Sequence, residues 1–226
     1  MIEVKELRKT FVAGTVGTHA LDGVSFSIKA REHVAVIGES GSGKTTLLKT
    51  LGLIQKPDSG TVEMFGKEVF GISASKRRLL RRDRLGYVFQ DYRLLPLLNA
   101  LENVAVPLRL QGMKSKQALD VAHKALVRVG LSSRANHYPA QLSGGQQQRV
   151  GVARAIVHHP DVLLADEPTG NLDDENAEAV MRLLLDRESG AGFNGTVIYV
   201  THSQKLASLA DRYIRLNHGV VCEDDI

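Results

Sequence analysis

Val34-Ala-Val-Ile37, Gly38-Glu-Ser-Gly-Ser-Gly43-Lys44-Thr45 and Thr46-Leu-Leu-Lys-Thr-Leu51 follow one another without interruption: an apolar strand, a glycine-rich loop and a helical run. The central eight residues match G-x-x-x-x-G-K-[ST]. Taken alone, such a loop is only a glycine-rich turn. The flanking strand and helix change that reading, because a phosphate site needs both. Glycines let the backbone N–H groups turn inward on an anion, and the helix start adds positive potential. Gly38, Glu39, Ser40, Gly41, Ser42, Gly43, Lys44, Thr45 and Thr46 are therefore the expected cradle for a nucleotide. Lys44 is expected to reach the β- and γ-phosphates, and the Thr45 hydroxyl to ligate Mg²⁺.

Two more short apolar runs end in polar residues. Asp161-Val-Leu-Leu-Ala165 leads to Asp166-Glu167-Pro168, and Thr196-Val-Ile-Tyr-Val200 leads to Thr201-His202. Strands of this kind suit a parallel sheet covered on both faces, whose ligands bind beyond the carboxyl ends of the strands. An aspartate after a strand is often a helix cap. Asp166 also stands where nucleotide-hydrolysing enzymes with such a loop place a Mg²⁺ ligand. Glu167, expected to point elsewhere on the pleat, can accept a proton from an attacking water; its bland reading is a surface carboxylate. The pair suggests hydrolysis as well as binding.

Around this core, residues 2–11 and 24–28 alternate in the manner of antiparallel strands. Residues 91–150 read mostly as helix, with Ala118, Val121, Ala122, Ala125, Leu126 and Val129 at helical spacing. The expected fold class is α/β: a P-loop NTPase core with a mainly parallel sheet, an N-terminal antiparallel β-subdomain and an inserted helical subdomain. One domain covers 1–226, with the nucleotide-binding core in 1–90 and 151–226 and the helical part in 91–150. Ser189-Gly-Ala-Gly-Phe-Asn-Gly195 reads as a mobile loop, and residues 212–221 as a hairpin-like ending.

Composition is ordinary for a globular chain of 226 residues, with 43% hydrophobic and 24% charged residues, which excludes disordered and collagen-like classes. A single cysteine, Cys222, excludes an internal disulfide. No apolar run approaches the roughly 20 residues of a membrane span. Residues 1–6 lack a signal peptide's apolar core, so the chain is expected in the cytoplasm. A net charge of +4 decides little about partners. Lys76-Arg-Arg-Leu-Leu-Arg-Arg-Asp-Arg84 admits two readings. It is either an amphipathic helix with Leu79, Leu80 and Leu85 inward, or a contact for anionic lipid headgroups or a membrane partner.

Leu142-Ser143-Gly144-Gly145-Gln146, continuing Gln147-Gln148-Arg149, first reads as a capped helix: Ser143 is the N-cap and Gln146 closes a capping box. Capping alone does not ask for two consecutive glycines, whereas an open anion site does. The string resembles the signature motif of ABC ATPases, and the resemblance extends over essentially the whole chain. It implies that ATP is the nucleotide. It further implies that Gln90 lies near Mg²⁺ and the coupling interface, and that Asn171-Leu172-Asp173 reaches across a dimer. His202 then senses the γ-phosphate, and Phe11 stacks on adenine, although an aromatic near a strand end is more often core. Leu101-Glu102-Asn103-Val104 through Pro107-Leu108, and Asp166-Glu-Pro-Thr-Gly-Asn-Leu-Asp173, resemble the lipoprotein-releasing, macrolide-export and cell-division-associated cassettes.

The resemblance implies two copies docked head to tail, each signature loop (Ser143, Gly144, Gly145, Gln146) capping ATP held by the other copy. It also implies an integral membrane permease subunit as partner and a place at the inner face of the cell membrane. Nucleic acid is not expected. The rival reading is an ABC-type ATPase serving a non-transport partner, such as a cell-division or nucleic-acid machine. Chromosome-maintenance relatives need a long coiled coil, and translation relatives two cassettes in one chain; neither is seen here. A non-catalytic regulatory subunit is disfavoured by Lys44, Asp166, Glu167 and His202. A small-molecule kinase has no use for residues 142–146. With 24 residues after His202, a regulatory C-terminal domain is not expected.

Overall fold

The computed structural model describes residues 1–13, 16–187 and 192–224. The chain forms two compact units, residues 1–81 with 196–226 and residues 82–195.

In the first unit, β1 (Ile2–Ala13) and β2 (Val16–Ile28) form a long antiparallel pair. Ile2 and Val4 point inward, but the next buried residue is Leu7 rather than Glu6. The register shifts between Val4 and Leu7, and Glu6 takes a left-handed φ of 49°. One extra residue thus keeps the apolar face on the core. A second sheet contains β3 (His33–Ile37), whose five residues are all buried, as expected for the strand that feeds the glycine-rich loop. The loop opens into α1 (Lys44–Leu51). β4 (Ser59–Met64) and β5 (Lys67–Glu68) complete the antiparallel sheet in the order β2-β1-β4-β5.

The helix α2 (Ala74–Arg84) follows and corrects the amphipathic reading: it has no buried residue, and Leu79 is 44% exposed. Polar bonds hold it in place of an apolar face. Arg77 donates to the carbonyls of Phe70 and Ile72 at 3.2 and 2.8 Å, and Arg81 to that of Leu53 at 2.8 Å.

The second unit begins with β6 (Leu85–Val88), where Leu85 is buried as expected but in a strand. Three helices then share one apolar core: α3 (Ala100–Leu110), α4 (Ser115–Arg128) and α5 (Gly144–Ile156). Ala118, Ala122, Leu126 and Val129 are buried in it, with Val121 and Ala125 packed against its edge. Asn99 and Glu102 form a capping box that starts α3. β7 (Val162–Asp166) pairs with β6 in parallel, and α6 (Asp174–Leu185) follows. Of the expected loop at Ser189 to Gly195, residues 189–191 lie outside the described residues.

The first unit resumes with β8 (Thr196–Val200), a short helix α7 (Gln204–Ala207), β9 (Arg212–Asn217) and β10 (Val220–Asp224). β3 runs parallel to both β8 and β9, while β10 turns back antiparallel on β9, the hairpin expected at 212–221. The N-terminal sheet is antiparallel and the other is mixed with mainly parallel strands, so the α/β reading holds. No helix among the described residues is long and apolar enough to cross a membrane.

Candidate active site

The phosphate loop wraps around its own lysine. Lys44 Nζ donates to the carbonyls of Gly38 and Glu39 at 2.8 and 2.6 Å and approaches Ser42 Oγ at 3.4 Å. The side chain is buried, which holds its charge at the loop centre. Gly43 precedes α1 with φ 103°, and no side chain caps this helix start. A Cβ at Gly43 would run into the Ala20 carbonyl, and one at Gly38 into the Leu216 carbonyl. Two of the loop's glycines are therefore demanded by backbone from β2 and β9, independently of any ligand. Thr45 is exposed on the first turn of α1.

Elsewhere in the same unit, Thr201 ends β8, buried and bonded through its N–H to the Val36 carbonyl at 3.2 Å. His202 follows, exposed. Phe11 is 47% exposed, with the Lys9 ammonium 5.8 Å from its ring centre, so it is not a core residue. An open ring face on β1 suits stacking.

In the second unit, β7 delivers Asp166 half-buried at its end. Glu167 does not continue the pleat: its φ of 44° is left-handed, and its carbonyl accepts from the Gly170 N–H at 3.1 Å. A turn, rather than strand alternation, sets the direction of Glu167. Gln90 follows β6, and the Gln90 carbonyl accepts from Asn171 Nδ2 at 3.2 Å. A Cβ at Gly170 would sit 3.1 Å from Gln90 Nε2 and 3.3 Å from Glu167 Oε2. The structure thus gathers Gln90, Glu167 and Asn171 around one loop. Burial raises the Tyr87 phenol above its ordinary pKa, helped by the negative Asp166 nearby.

The signature residues form the capping box read from the sequence. Ser143 Oγ accepts from the Gln146 N–H at 3.3 Å, and Gln146 Oε1 from the Ser143 N–H at 3.1 Å. Both glycines also have a reason within this unit. A Cβ at Gly144 would lie 2.8 Å from the Tyr92 hydroxyl, and one at Gly145 would collide with Asn176. Asn176 is fixed by Asp173, which caps α6 through the Asn176 N–H at 2.8 Å and accepts from its amide at 2.9 Å. Those bonds, the backbone one first, lower the Asp173 pKa. Packing therefore explains Gly145, whereas at Gly144 the obstacle is only the far end of the Tyr92 side chain. Ser143, Gly144, Gly145 and Asp173 meet in one place, the last through Asn176.

Sequence reasoning missed Tyr92, Asn176, Gln148 and Arg154. Gln148, 1% exposed, donates to the Pro168 carbonyl at 2.6 Å and so ties α5 to the turn after Glu167. The available signal was polar residues set among the small ones of α5, such as Gly151 and Ala155.

Thr45, Gln90 and Asp166 offer a hydroxyl, an amide oxygen and a carboxylate. These are hard oxygen donors of the kind Mg²⁺ takes. Among the described residues no group of three or more His, Cys, Asp or Glu converges. Thr45 belongs to the first unit and Gln90 and Asp166 to the second, and each taken singly is a donor that Mg²⁺ accepts beside substrate phosphates.

The ABC transporter family profile matches residues 21–170. The chain is 41% identical to the lipoprotein-releasing system ATP-binding protein LolD of Shewanella frigidimarina, over 98% of this chain and 92% of that one. It is 44% identical to the macrolide export ATP-binding/permease protein MacB of Shigella flexneri, again over 98% of this chain but only 34% of the relative. Among solved structures, a dimeric post-hydrolysis state of the ATP-binding cassette MJ0796 bound to ADP and Pi is 38% identical. It superposes with a TM-score of 0.91 over 100% of this chain and 98% of that chain. These relatives are transport cassettes, which disfavours the non-transport alternative. The chain belongs to the ABC transporter family, as an ATP-hydrolysing cassette subunit.

Proposed function

We propose that this cassette binds MgATP at the phosphate loop, closes head to tail with a second copy, and drives an integral membrane permease in export or lipoprotein extraction. The observation that carries it is the Lys44-centred loop at an uncapped helix start. Lys44 and the first-turn amides of α1 would hold the β- and γ-phosphates, and Phe11 would stack on the base. Thr45, Gln90 and Asp166 would hold Mg²⁺, which neutralises charge on the phosphate oxygens. Glu167 accepts the proton of the water that attacks the γ-phosphorus as the bond to ADP breaks, and His202 faces the γ-phosphate. Ser143, Gly144, Gly145 and Gln146 would cap the nucleotide of the second copy, with Asp173 at the same junction.

Several observations support the finer reading. The dimeric form of the MJ0796 cassette supports the pairing of two copies. The permease in MacB's name supports a membrane partner, and such a partner would place the cassette at the membrane. The apolar core shared by α3, α4 and α5 supports a helical subdomain around 91–150 within one ATPase domain. Phosphate release from the purified chain tests the core of the proposal. Lys44→Ala should abolish saturable MgATP binding and cut release at least roughly a hundredfold, the scale of losing a charge on the transferred group. Undiminished release by that variant would remove the phosphate loop from the reaction.

A further inference from the structure

The turn after Gln90 is held in an unfavourable backbone shape. Tyr92 and Arg93 are consecutive non-glycine residues with φ of 59° and 43°. Such residues stay left-handed only where their surroundings over-determine them. On one side, the Arg93 guanidinium lies 4.7 Å from the Phe89 ring centre and 3.2 Å from Asp91 Oδ1. On the other, one side chain serves both strained residues: Arg154 Nη2 donates to the Tyr92 carbonyl at 2.8 Å, and Nη1 to the Arg93 carbonyl at 2.6 Å. The fork of a guanidinium matches two adjacent carbonyls in a way few other side chains can.

Downstream, Asn103 is fully buried and fastens the same segment to α3. It accepts from the Leu95 N–H at 2.7 Å and donates to the Leu98 carbonyl at 2.8 Å. Among the described residues, Arg154 supplies the hydrogen bonds that tie the turn between Gln90 and Leu95 to α5. That helix starts at the signature serine and is bonded through Gln148 to the turn after Glu167.

We infer that Arg154 is a positioning residue that clamps the Gln90 turn to the signature helix, so that a shift of α5 is delivered to Gln90 and to the Glu167 turn together. Neither the phosphate loop nor the base site needs Arg154, so its loss separates turnover from nucleotide binding. This consequence rests on Gln90 acting at the Mg²⁺ and coupling site; the clamp itself does not.

The test compares wild type, Arg154→Ala, Arg154→Lys and Gln90→Ala as full chains. The readouts are MgATP binding, kcat against KM, the Mg²⁺ concentration for half-maximal turnover, and amide hydrogen exchange. Arg154→Ala should lower kcat roughly ten- to a hundredfold, the cost of a misplaced catalytic group, with MgATP affinity within about threefold of wild type. The half-maximal Mg²⁺ concentration should rise, and amides 91–95 should exchange faster while those of α1 and α3 hold. Arg154→Lys, whose ammonium can serve two carbonyls as Lys44 does, should recover part of both kcat and protection.

Unchanged exchange at 91–95 in Arg154→Ala overturns the clamp. So does a general loss of protection or of MgATP binding in both Arg154 variants, which marks a merely structural arginine. If Gln90→Ala leaves turnover and Mg²⁺ dependence at wild-type levels, the reading of Gln90 fails, and the exchange data still judge the clamp by itself.

Discussion

Gly144 and Gly145 look alike in the sequence, yet they face different neighbours. A Cβ at Gly144 would meet the tip of the Tyr92 ring, which can swing away, whereas one at Gly145 meets the Asn176 stem and its amide. The Asn176 side chain cannot yield without losing its amide bonds to Asp173. Gly145→Ala should therefore cost about 1–3 kcal/mol by overpacking, and Gly144→Ala clearly less, both read from the urea midpoint of unfolding. Equal costs at the two positions would mean that Asn176 does not form this wall. The pair was legible as special but its surroundings were not, because Tyr92 and Asn176 lie far from Gly144 and Gly145 in the sequence. Phe11 shows the reverse: its aromatic chemistry was legible, and only its exposure distinguished a stacking face from a core side chain. Glu167 was placed correctly after its strand, yet its direction depends on one left-handed φ that no pattern of residue types announces.

At the level of elements, β3, β7 and β8 were legible because short apolar runs bounded by polar residues have few alternatives. The helix α4 was legible from its period, and α5 from its capping box. The helix α2 was misread, since its leucines suggested an inward face while its arginines do the anchoring through backbone carbonyls. Pattern reading assumes that apolar groups anchor and charges face water; a guanidinium that finds carbonyls reverses the assumption. The strand β9 has a similar ionic anchor. Arg212, with its side chain 8% exposed, pairs with Glu32 at 2.7 Å and also with Asp224 of β10, and donates to the Ser27 carbonyl. Arg212→Met should destabilise the protein by about 3–5 kcal/mol, because Glu32 is left charged and buried without its partner. The double variant Arg212→Met, Glu32→Met should recover much of that loss. A single-variant cost below about 1 kcal/mol in urea unfolding would make the pair dispensable.

For the whole molecule, the decisive event is assembly. With the hydrolytic carboxylate neutralised, Glu167→Gln should retain MgATP and accumulate as a dimer in light scattering, while wild type returns to monomer as ATP is consumed. A monomer under saturating MgATP would sink head-to-tail pairing. Packing inside the second unit accounts for Gly145, so that glycine by itself is no physical support for the pairing. The support now lies in the likeness to a dimeric cassette.

The chemistry of the chain was determined by its sequence: a lysine and threonine after a glycine-rich loop, an acidic pair after an apolar strand, a capped signature helix. Each is a local pattern, written within a few residues and constrained by backbone geometry that neighbours dictate. Only the tertiary structure decided what those motifs lean on. It brought Ala20 and Leu216 against the loop glycines, Asn176 against Gly145, and Arg154 against two strained carbonyls. These contacts join residues far apart in the chain, and their energies depend on distances of a few ångströms that residue order does not encode.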